Sequence, residues 1–97
     1  MDFKVNTVHF TADEKLVDFI HHKVQKLELM YDRIIASEIY LRLDKSEEKE
    51  NKIAEVKLLL PGSELFAKKQ CKSFEEAADL AVSALKKQVE RYKAKSA

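Results

Sequence analysis

The sequence predicts an α+β two-layer sandwich with the element order β-α-β-β-β-α, in which two helices cover one face of a four-stranded mixed sheet. Two Ser/Thr capping motifs each precede an apolar stripe of helical period, and four other segments have the composition or the period of two that is typical of strands. The chain has 97 residues, of which 45% are apolar. This size and composition predict that residues 1–97 form one small domain.

The N-terminal third of the chain is predicted to form a strand and a helix. Residues 3–10 are rich in β-branched and aromatic side chains and predict the first strand. The segment Thr11-Ala12-Asp13-Glu14 then has the spacing of a capping box, in which the threonine oxygen accepts from the Glu14 amide. A helix is therefore predicted over residues 11–30. Its apolar stripe consists of Leu16, Phe19, Ile20, Val24 and Leu27.

Three further strands are predicted over residues 34–44, 53–60 and 64–71, with a polar connector at residues 45–51. Between the last two strands, Pro61-Gly62-Ser63 has the residue order that a type II turn prefers. The predicted inward-facing residues are Ile35, Ile39, Leu41 and Leu43 in the first of these strands and Ala54, Val56, Leu58 and Leu60 in the second.

The C-terminal segment is predicted to be one helix over residues 73–93, which begins with the capping box Ser73-Phe74-Glu75-Glu76. Its apolar stripe consists of Phe74, Ala77, Ala78, Ala81, Val82, Leu85, Val89 and Tyr92. A strand–helix–strand crossover makes the first strand parallel to a neighbour, and the three later strands form an antiparallel meander. Because each helix has a single apolar stripe, both are expected on the same face of the sheet.

The composition excludes several classes of protein. The longest uninterrupted apolar run covers residues 58–61, which is too short to span a bilayer. The N-terminus, Met1-Asp2-Phe3-Lys4, does not have the pattern of a signal peptide. With Cys71 as the one cysteine, no internal disulfide can form, and a cytoplasmic location is expected.

No pattern of catalytic or metal-binding residues stands out. His21 and His22 are adjacent, so on a helix their side chains diverge by about 100°, and with His9 they are predicted to be surface imidazoles. Cys71 lacks the neighbours of a catalytic nucleophile and is predicted to be a half-buried structural thiol. A single glycine rules out a glycine-rich phosphate loop. We therefore expect neither enzymatic activity nor a cofactor or metal.

The charges are distributed unevenly, although the net charge is only +1. Residues 83–97 contain five basic residues and one acidic residue, for a net charge of +4. Residues 44–50 contain four acidic and two basic residues, for a net charge of −2. The chain therefore has a basic end and an acidic connector.

The basic residues of the two predicted helices form rows. Lys23 and Lys26 share a face of the first helix, and Lys87 and Arg91 share a face of the second, with further cations around them. If the helices pack side by side, the two rows make one cationic patch suited to phosphates. The chain has no RNP-type strand motif, so this patch would recognise phosphates and shape and not base sequence. The other interpretation is a solvated helix surface, with C-terminal lysines stabilised by the helix dipole.

Segments spread over nearly the whole chain match the pattern of a known family. These segments are Lys23, Lys26-Leu27-Glu28, Tyr31-Asp32-Arg33-Ile34, Pro61-Gly62-Ser63-Glu64, Ala77-Ala78-Asp79, Lys87-Gln88-Val89 and Arg91-Tyr92-Lys93. With them the chain resembles the ribosome hibernation promoting factor family, which includes ribosome-associated inhibitors and also has the older name of sigma-54 modulation proteins. The chain is similar to the short form of the family, without the C-terminal dimerisation domain.

The resemblance implies a fold like that of double-stranded-RNA-binding domains and a non-enzymatic role on the ribosome. Members bind the small ribosomal subunit and its rRNA in the channel for mRNA and for the A- and P-site tRNAs. In stationary phase or stress they block translation and preserve idle ribosomes. The implied partner is thus the small subunit, with no membrane and no small-molecule substrate, and no companion ribosome-dimerising factor is identified.

The resemblance also implies which residues bind RNA. These are Lys23, Lys26, Arg33, Lys87, Arg91 and Lys93, and we add Lys86 to the expected RNA-binding residues as a neighbouring cation that can compensate for Ala84. Leu29 and Ala84 depart from the family pattern, which often has polar or basic residues there. The alternative hypothesis is a protein-interaction module that contacts a transcription regulator or a second copy of itself, with the lysines serving solubility.

Overall fold

A computed structural model describes residues 1–45 and 49–96 of the chain. The elements are β1 (Asp2–Thr7), α1 (Glu14–Met30), β2 (Ala36–Leu43), β3 (Lys52–Leu60), β4 (Ser63–Cys71) and α2 (Phe74–Ser96). This order confirms the predicted β-α-β-β-β-α arrangement and the α+β class. The middle of the predicted polar connector, residues 46–48, lies outside the described residues.

The four strands form one mixed sheet in the order β1-β2-β3-β4. β1 is parallel to β2, and β2, β3 and β4 form an antiparallel meander, as predicted. The register places Val5 beside Ile39, Ile39 beside Val56 and Val56 beside Ala67. This row crosses the whole sheet and points toward the helices. Gly62 has a φ of 72°, the left-handed conformation that the second central position of a type II turn requires.

Both helices pack on this one face of the sheet and bury nearly all of the predicted apolar stripes. The buried stripe residues are Leu16, Ile20, Val24 and Leu27 in α1 and Ala77, Ala78, Ala81, Val82, Leu85 and Val89 in α2. The remaining stripe residues, Phe19, Phe74 and Tyr92, are partly buried against the edge of the core. The alanines of α2 allow its backbone to lie close to β3 and β4.

α1 begins at Glu14 and not at Thr11, so the prediction that Thr11 caps this helix is wrong. The cap is Asp13, which has extended backbone angles and whose Oδ1 accepts from the amide of Leu16 at 2.8 Å. A carboxylate is as good an N-cap acceptor as a hydroxyl, and its charge also interacts favourably with the helix dipole. The predicted cap at Ser73 is confirmed, since Ser73 Oγ accepts from the Glu76 amide at 3.1 Å.

β1 ends at Thr7, three residues earlier than predicted. The Thr7 hydroxyl donates to the Phe10 carbonyl at 2.6 Å, and His9 has a φ of 62°. A residue in this left-handed conformation cannot continue a strand. Phe10 stacks instead on Phe74 at the start of α2, with 5.0 Å between the ring centroids.

Two residues predicted to face the core, Ile35 and Leu43, are 53% and 48% exposed, so this part of the prediction is wrong. β2 begins only at Ala36, and before the strand the alternation of faces does not hold, so that Ile34 is buried in place of Ile35. Leu43 lies beyond Leu41, the last β2 residue that pairs with β1. It therefore stands at an uncovered end of the sheet.

Candidate nucleic-acid interface

The two helices lie side by side and leave a groove of about 250 Å³ between them. Its lining residues are Lys23, Lys26, Leu27, Met30, Asp79, Val82, Ser83 and Lys86. In each helix the lining residues follow the pattern i, i+3, i+4 and i+7, which places them on one helix face. Buried Leu27 and Val82 form an apolar base, and charged side chains surround it. We call the outer surface of the two helices, including this groove, the helix face.

Lys23 is already engaged within the protein. Its Nζ lies 3.2 Å from Asp79 Oδ1 on the other helix and 5.4 Å from the centre of the Phe19 ring. The Lys23 side chain is 29% exposed. Lys23 therefore points into the groove with its charge paired.

Lys26 and Lys86 are on opposite walls of the same groove and are both exposed. Neither forms a salt bridge within residues 1–45 and 49–96. An ammonium group without a protein partner can bind a phosphate without first breaking an internal contact. These two lysines are thus the cations of the groove that are free to bind an anion.

Lys93 is a residue of α2 whose side chain reaches the C-terminal end of α1. Its Nζ donates to the Met30 carbonyl at 2.8 Å, and next to this contact Tyr31 and Tyr92 meet edge to face with 5.7 Å between ring centroids. A cation at a helix C-terminus satisfies a free carbonyl and interacts favourably with the dipole. Lys93 thus fastens the C-terminal part of α2 to the end of α1.

Lys87 and Arg91 are exposed but do not line the groove. One residue advances about 100° around a helix, so Lys87 projects from the outer side of α2 and not beside Lys86. Arg91 borders a shallow depression with Leu65, on the flank of α2 that faces β4. The predicted cations therefore form two groups, one in the groove and one outside it along α2. Arg33 is exposed in the connection between α1 and β2.

The uncovered side of the sheet, which we call the open sheet face, is also charged, and two of its cations form ion pairs. Arg42 Nη1 lies 2.6 Å from Glu55 Oε2, and Lys57 Nζ lies 3.9 Å from Glu64 Oε2. The register also places Glu38 directly beside Lys57. Cations and carboxylates thus alternate across neighbouring strands, which leaves little net positive charge for a polyanion.

The remaining candidates have structural roles. His21 stacks on Phe3 with 4.4 Å between ring centroids. Cys71 is only 6% exposed, more buried than predicted, and this burial, followed by the charge of Glu76, raises the pKa of its thiol. A raised pKa disfavours the reactive thiolate. Among the residues that the structure describes, no cluster of His, Cys, Asp and Glu could hold a metal, and no helix is long and apolar enough to cross a membrane.

Sequence reasoning did not identify Asp79 as a residue of the site. The signal was present in the spacing, since Asp79 precedes Lys86 by seven residues and so lies two turns away on the same side of α2. Without the position of α1, however, nothing in the sequence showed that Lys23 would meet it.

A sequence model of the family described as "Sigma 54 modulation protein / S30EA ribosomal protein" matches residues 3–97. Among solved structures, the fold is similar to the Protein Y N-terminal domain of Thermus thermophilus, with 22% identity and a TM-score of 0.82 over 95% of this chain and 99% of that chain. It is also similar to a ribosomal subunit interface protein from Coxiella burnetii, with 22% identity and a TM-score of 0.85 over 97% of this chain and 99% of that chain. No curated protein sequence gives a significant match.

Proposed function

This chain belongs to the sigma 54 modulation protein / S30EA ribosomal protein family, and we propose that it is a ribosome-associated translation inhibitor. In this role it binds rRNA of the small ribosomal subunit, in the channel for mRNA and for the A- and P-site tRNAs. Its presence there blocks translation and preserves idle ribosomes in stationary phase or stress. The family description includes a ribosomal protein, and one protein of the same fold is described as a ribosomal subunit interface protein.

The observation that carries the proposal is the set of unpaired cations on the helix face. Lys26 and Lys86 stand across the groove from each other without a salt-bridge partner in the described part of the chain. Lys87 and Arg91 extend the positive charge along the outer side of α2. Binding of such cations to RNA phosphates releases condensed counterions, which is the main source of affinity for a nucleic-acid backbone.

The proposed role is that of a stoichiometric binding factor in the cytoplasm and not of an enzyme. Inhibition by occupying a channel requires affinity and shape, and it requires neither a nucleophile nor a cofactor. The domain is long and narrow, 45 × 23 × 19 Å, and a surface of this shape suits binding along an RNA backbone.

Co-sedimentation with purified small ribosomal subunits over a salt series tests the proposal. We expect log K to fall linearly with log salt concentration, because each phosphate contact releases counterions. The change Lys87→Ala/Arg91→Ala should make this slope less steep by about 1.4–1.8, because each lost phosphate contact reduces its magnitude by about 0.7–0.9. Its free energy of unfolding should change by no more than about 0.5 kcal/mol, as is usual for exposed residues.

Lys45→Ala/Lys49→Ala is the matched control, because it removes the same charge from the connector between β2 and β3. This control should bind almost as well as the unmodified protein. Equal weakening by both pairs would reduce the effect to general charge. Binding that does not depend on salt or on either pair would favour a protein-interaction module, which contacts a regulator or a second copy of the chain.

A further inference from the structure

Asp79 is the only acidic residue among the described residues that line the cationic groove. Its Oδ1 lies 3.2 Å from Lys23 Nζ, and its side chain is 49% exposed. The carboxylate is therefore accessible to anything that enters the groove. A negative charge at this position opposes phosphate binding, which the three surrounding lysines favour.

The contacts of Lys23 show that its ammonium group is held from two sides. Asp79 contacts it from α2, and the Phe19 ring of α1 lies below it at 5.4 Å. Cation–π contact with Phe19 can persist when the carboxylate is replaced by another anion, because the ring and Lys23 belong to the same helix. Lys23 can therefore exchange one anionic partner for another without leaving the groove.

The two anions would not be equivalent after such an exchange. An ion pair between exposed side chains contributes little to stability, so a phosphate can displace the carboxylate from Lys23. The displaced carboxylate nevertheless remains in the groove, where it is close enough to repel the phosphate. Entry of a phosphate thus breaks the ion pair between Lys23 and Asp79 and adds a repulsion between the phosphate and Asp79.

We propose that Asp79 limits the affinity of the helix face for phosphates by occupying Lys23 in the free protein and repelling the anion that replaces it. The inference rests on the proposed function, since it assigns an affinity-limiting residue to the same surface. An isolated anion in the groove gains Lys26 and Lys86 but meets Asp79. An extended RNA that also contacts Lys87 and Arg91 has enough further contacts to overcome that cost. Asp79 therefore lowers the affinity for every anion that enters the groove, and an extended RNA stays bound because it makes further contacts outside the groove.

The test compares Asp79→Asn with Asp18→Asn, which makes the same charge change at an exposed position of α1 outside the groove. Affinity for purified small ribosomal subunits is measured by co-sedimentation at one fixed salt concentration. Asp79→Asn should bind about three- to tenfold more tightly, because a like charge next to the phosphate is removed. Asp18→Asn should change affinity by less than about twofold, since screening weakens charges beyond a Debye length.

The same substitution in a Lys23→Gln protein tests whether Asp79 acts through Lys23. In a Lys23→Gln protein, Asp79→Asn should increase the affinity by a smaller factor than in the unmodified protein, because no internal ion pair remains to be exchanged. An equal gain in affinity in the unmodified and the Lys23→Gln protein would overturn the proposal that a phosphate replaces Asp79 as the partner of Lys23. A loss of affinity on Asp79→Asn would overturn the inference as well, because Asp79 would then serve to position Lys23. Equal gains from Asp79→Asn and Asp18→Asn would reduce it to net charge.

Heparin chromatography separates this inference from the proposed function, because heparin is a polyanion unrelated to ribosomes. Asp79→Asn should elute from heparin at a higher salt concentration than Asp18→Asn. If no variant sediments with subunits but this order of elution is found, the ribosomal role fails and the inference about Asp79 stands. If subunits bind but neither assay distinguishes the two variants, the inference about Asp79 fails and the ribosomal role stands.

Discussion

The helix face and the open sheet face both carry many charged residues, but they arrange these charges differently. On the open sheet face, strand register places Glu38 beside Lys57 and Glu55 beside Lys68, and Arg42 forms a diagonal ion pair with Glu55 at 2.6 Å. On the helix face, Lys26 and Lys86 have no salt-bridge partner among the described residues. The two faces thus differ in the arrangement of their charges more than in the number, and this arrangement is why we propose the helix face as the phosphate-binding surface.

The two sides of the sheet also differ in how deeply their apolar residues are buried. Leu58 points toward the helices and is fully buried, whereas its neighbour Leu59 points to the open sheet face and is only half-buried. Successive residues of a strand point to opposite faces, so adjacent leucines in one strand sample two different environments.

The largest expected effect concerns this pair. Leu58→Ala should lower the free energy of unfolding by about 2–5 kcal/mol, because it removes buried methyl groups and leaves a cavity. Leu59→Ala should cost about 1 kcal/mol or less, since partly exposed side chains lose little on truncation. Urea denaturation of the two variants measures both values. Similar losses would show that the open sheet face is covered in solution.

A second comparison removes two cations from each face. Lys26→Gln/Lys86→Gln should weaken binding to small ribosomal subunits about tenfold or more, or about 1.4 kcal/mol, because two unpaired phosphate-binding groups are lost. Lys57→Gln/Lys68→Gln removes the same charge from the open sheet face and should change the affinity by less than about twofold, because carboxylates beside these lysines already offset their charge. Co-sedimentation measures both. A larger effect of the sheet pair would reverse the assignment of the two faces.

A smaller effect is expected at Ser37, the one buried polar side chain on the helix-covered side of the sheet within the described residues. Its Oγ has no hydrogen-bond partner there. Ser37→Ala should therefore stabilise the protein by about 1 kcal/mol, because an unsatisfied buried hydroxyl is destabilising. Thermal or urea unfolding measures the change, with Ser83→Ala in the exposed groove as the control that should stay within about 0.5 kcal/mol. A loss of stability on Ser37→Ala would mean that the hydroxyl has a partner in solution.

The smallest effect is expected for the ion pair between Arg42 and Glu55. A double-mutant cycle with Arg42→Gln and Glu55→Gln should give a coupling of about 0.2–1 kcal/mol, which is typical of pairs that remain partly exposed. The coupling should decrease as salt is added. A coupling that salt leaves unchanged would indicate that this pair is shielded from solvent.

Local chemistry explains why much of the fold could be predicted. The stripe of α2, the Ser73 cap and the left-handed Gly62 all depend on residues within a few positions of one another. Two of the wrong predictions concern positions where neighbouring residues could take the same structural role. Thr11 and Asp13 can each cap α1, and the observed cap is the carboxylate, which the helix dipole also stabilises. Ile35 lies just outside β2, where the period of two no longer indicates which side chain is buried.

The sequence by itself determined the order of the elements, the two faces of the sheet and the cationic rows on the helices, because each follows from spacing along a single segment. Only the tertiary structure decided which cations are free. The contact of Lys93 with Met30 joins residues 63 positions apart, and the pairing of Lys23 with Asp79 likewise requires both helices in place. These contacts depend on how far each helix is rotated about its axis when it packs on the sheet. That rotation is set by the shared core, to which Ile20 and Leu85 contribute from the two helices.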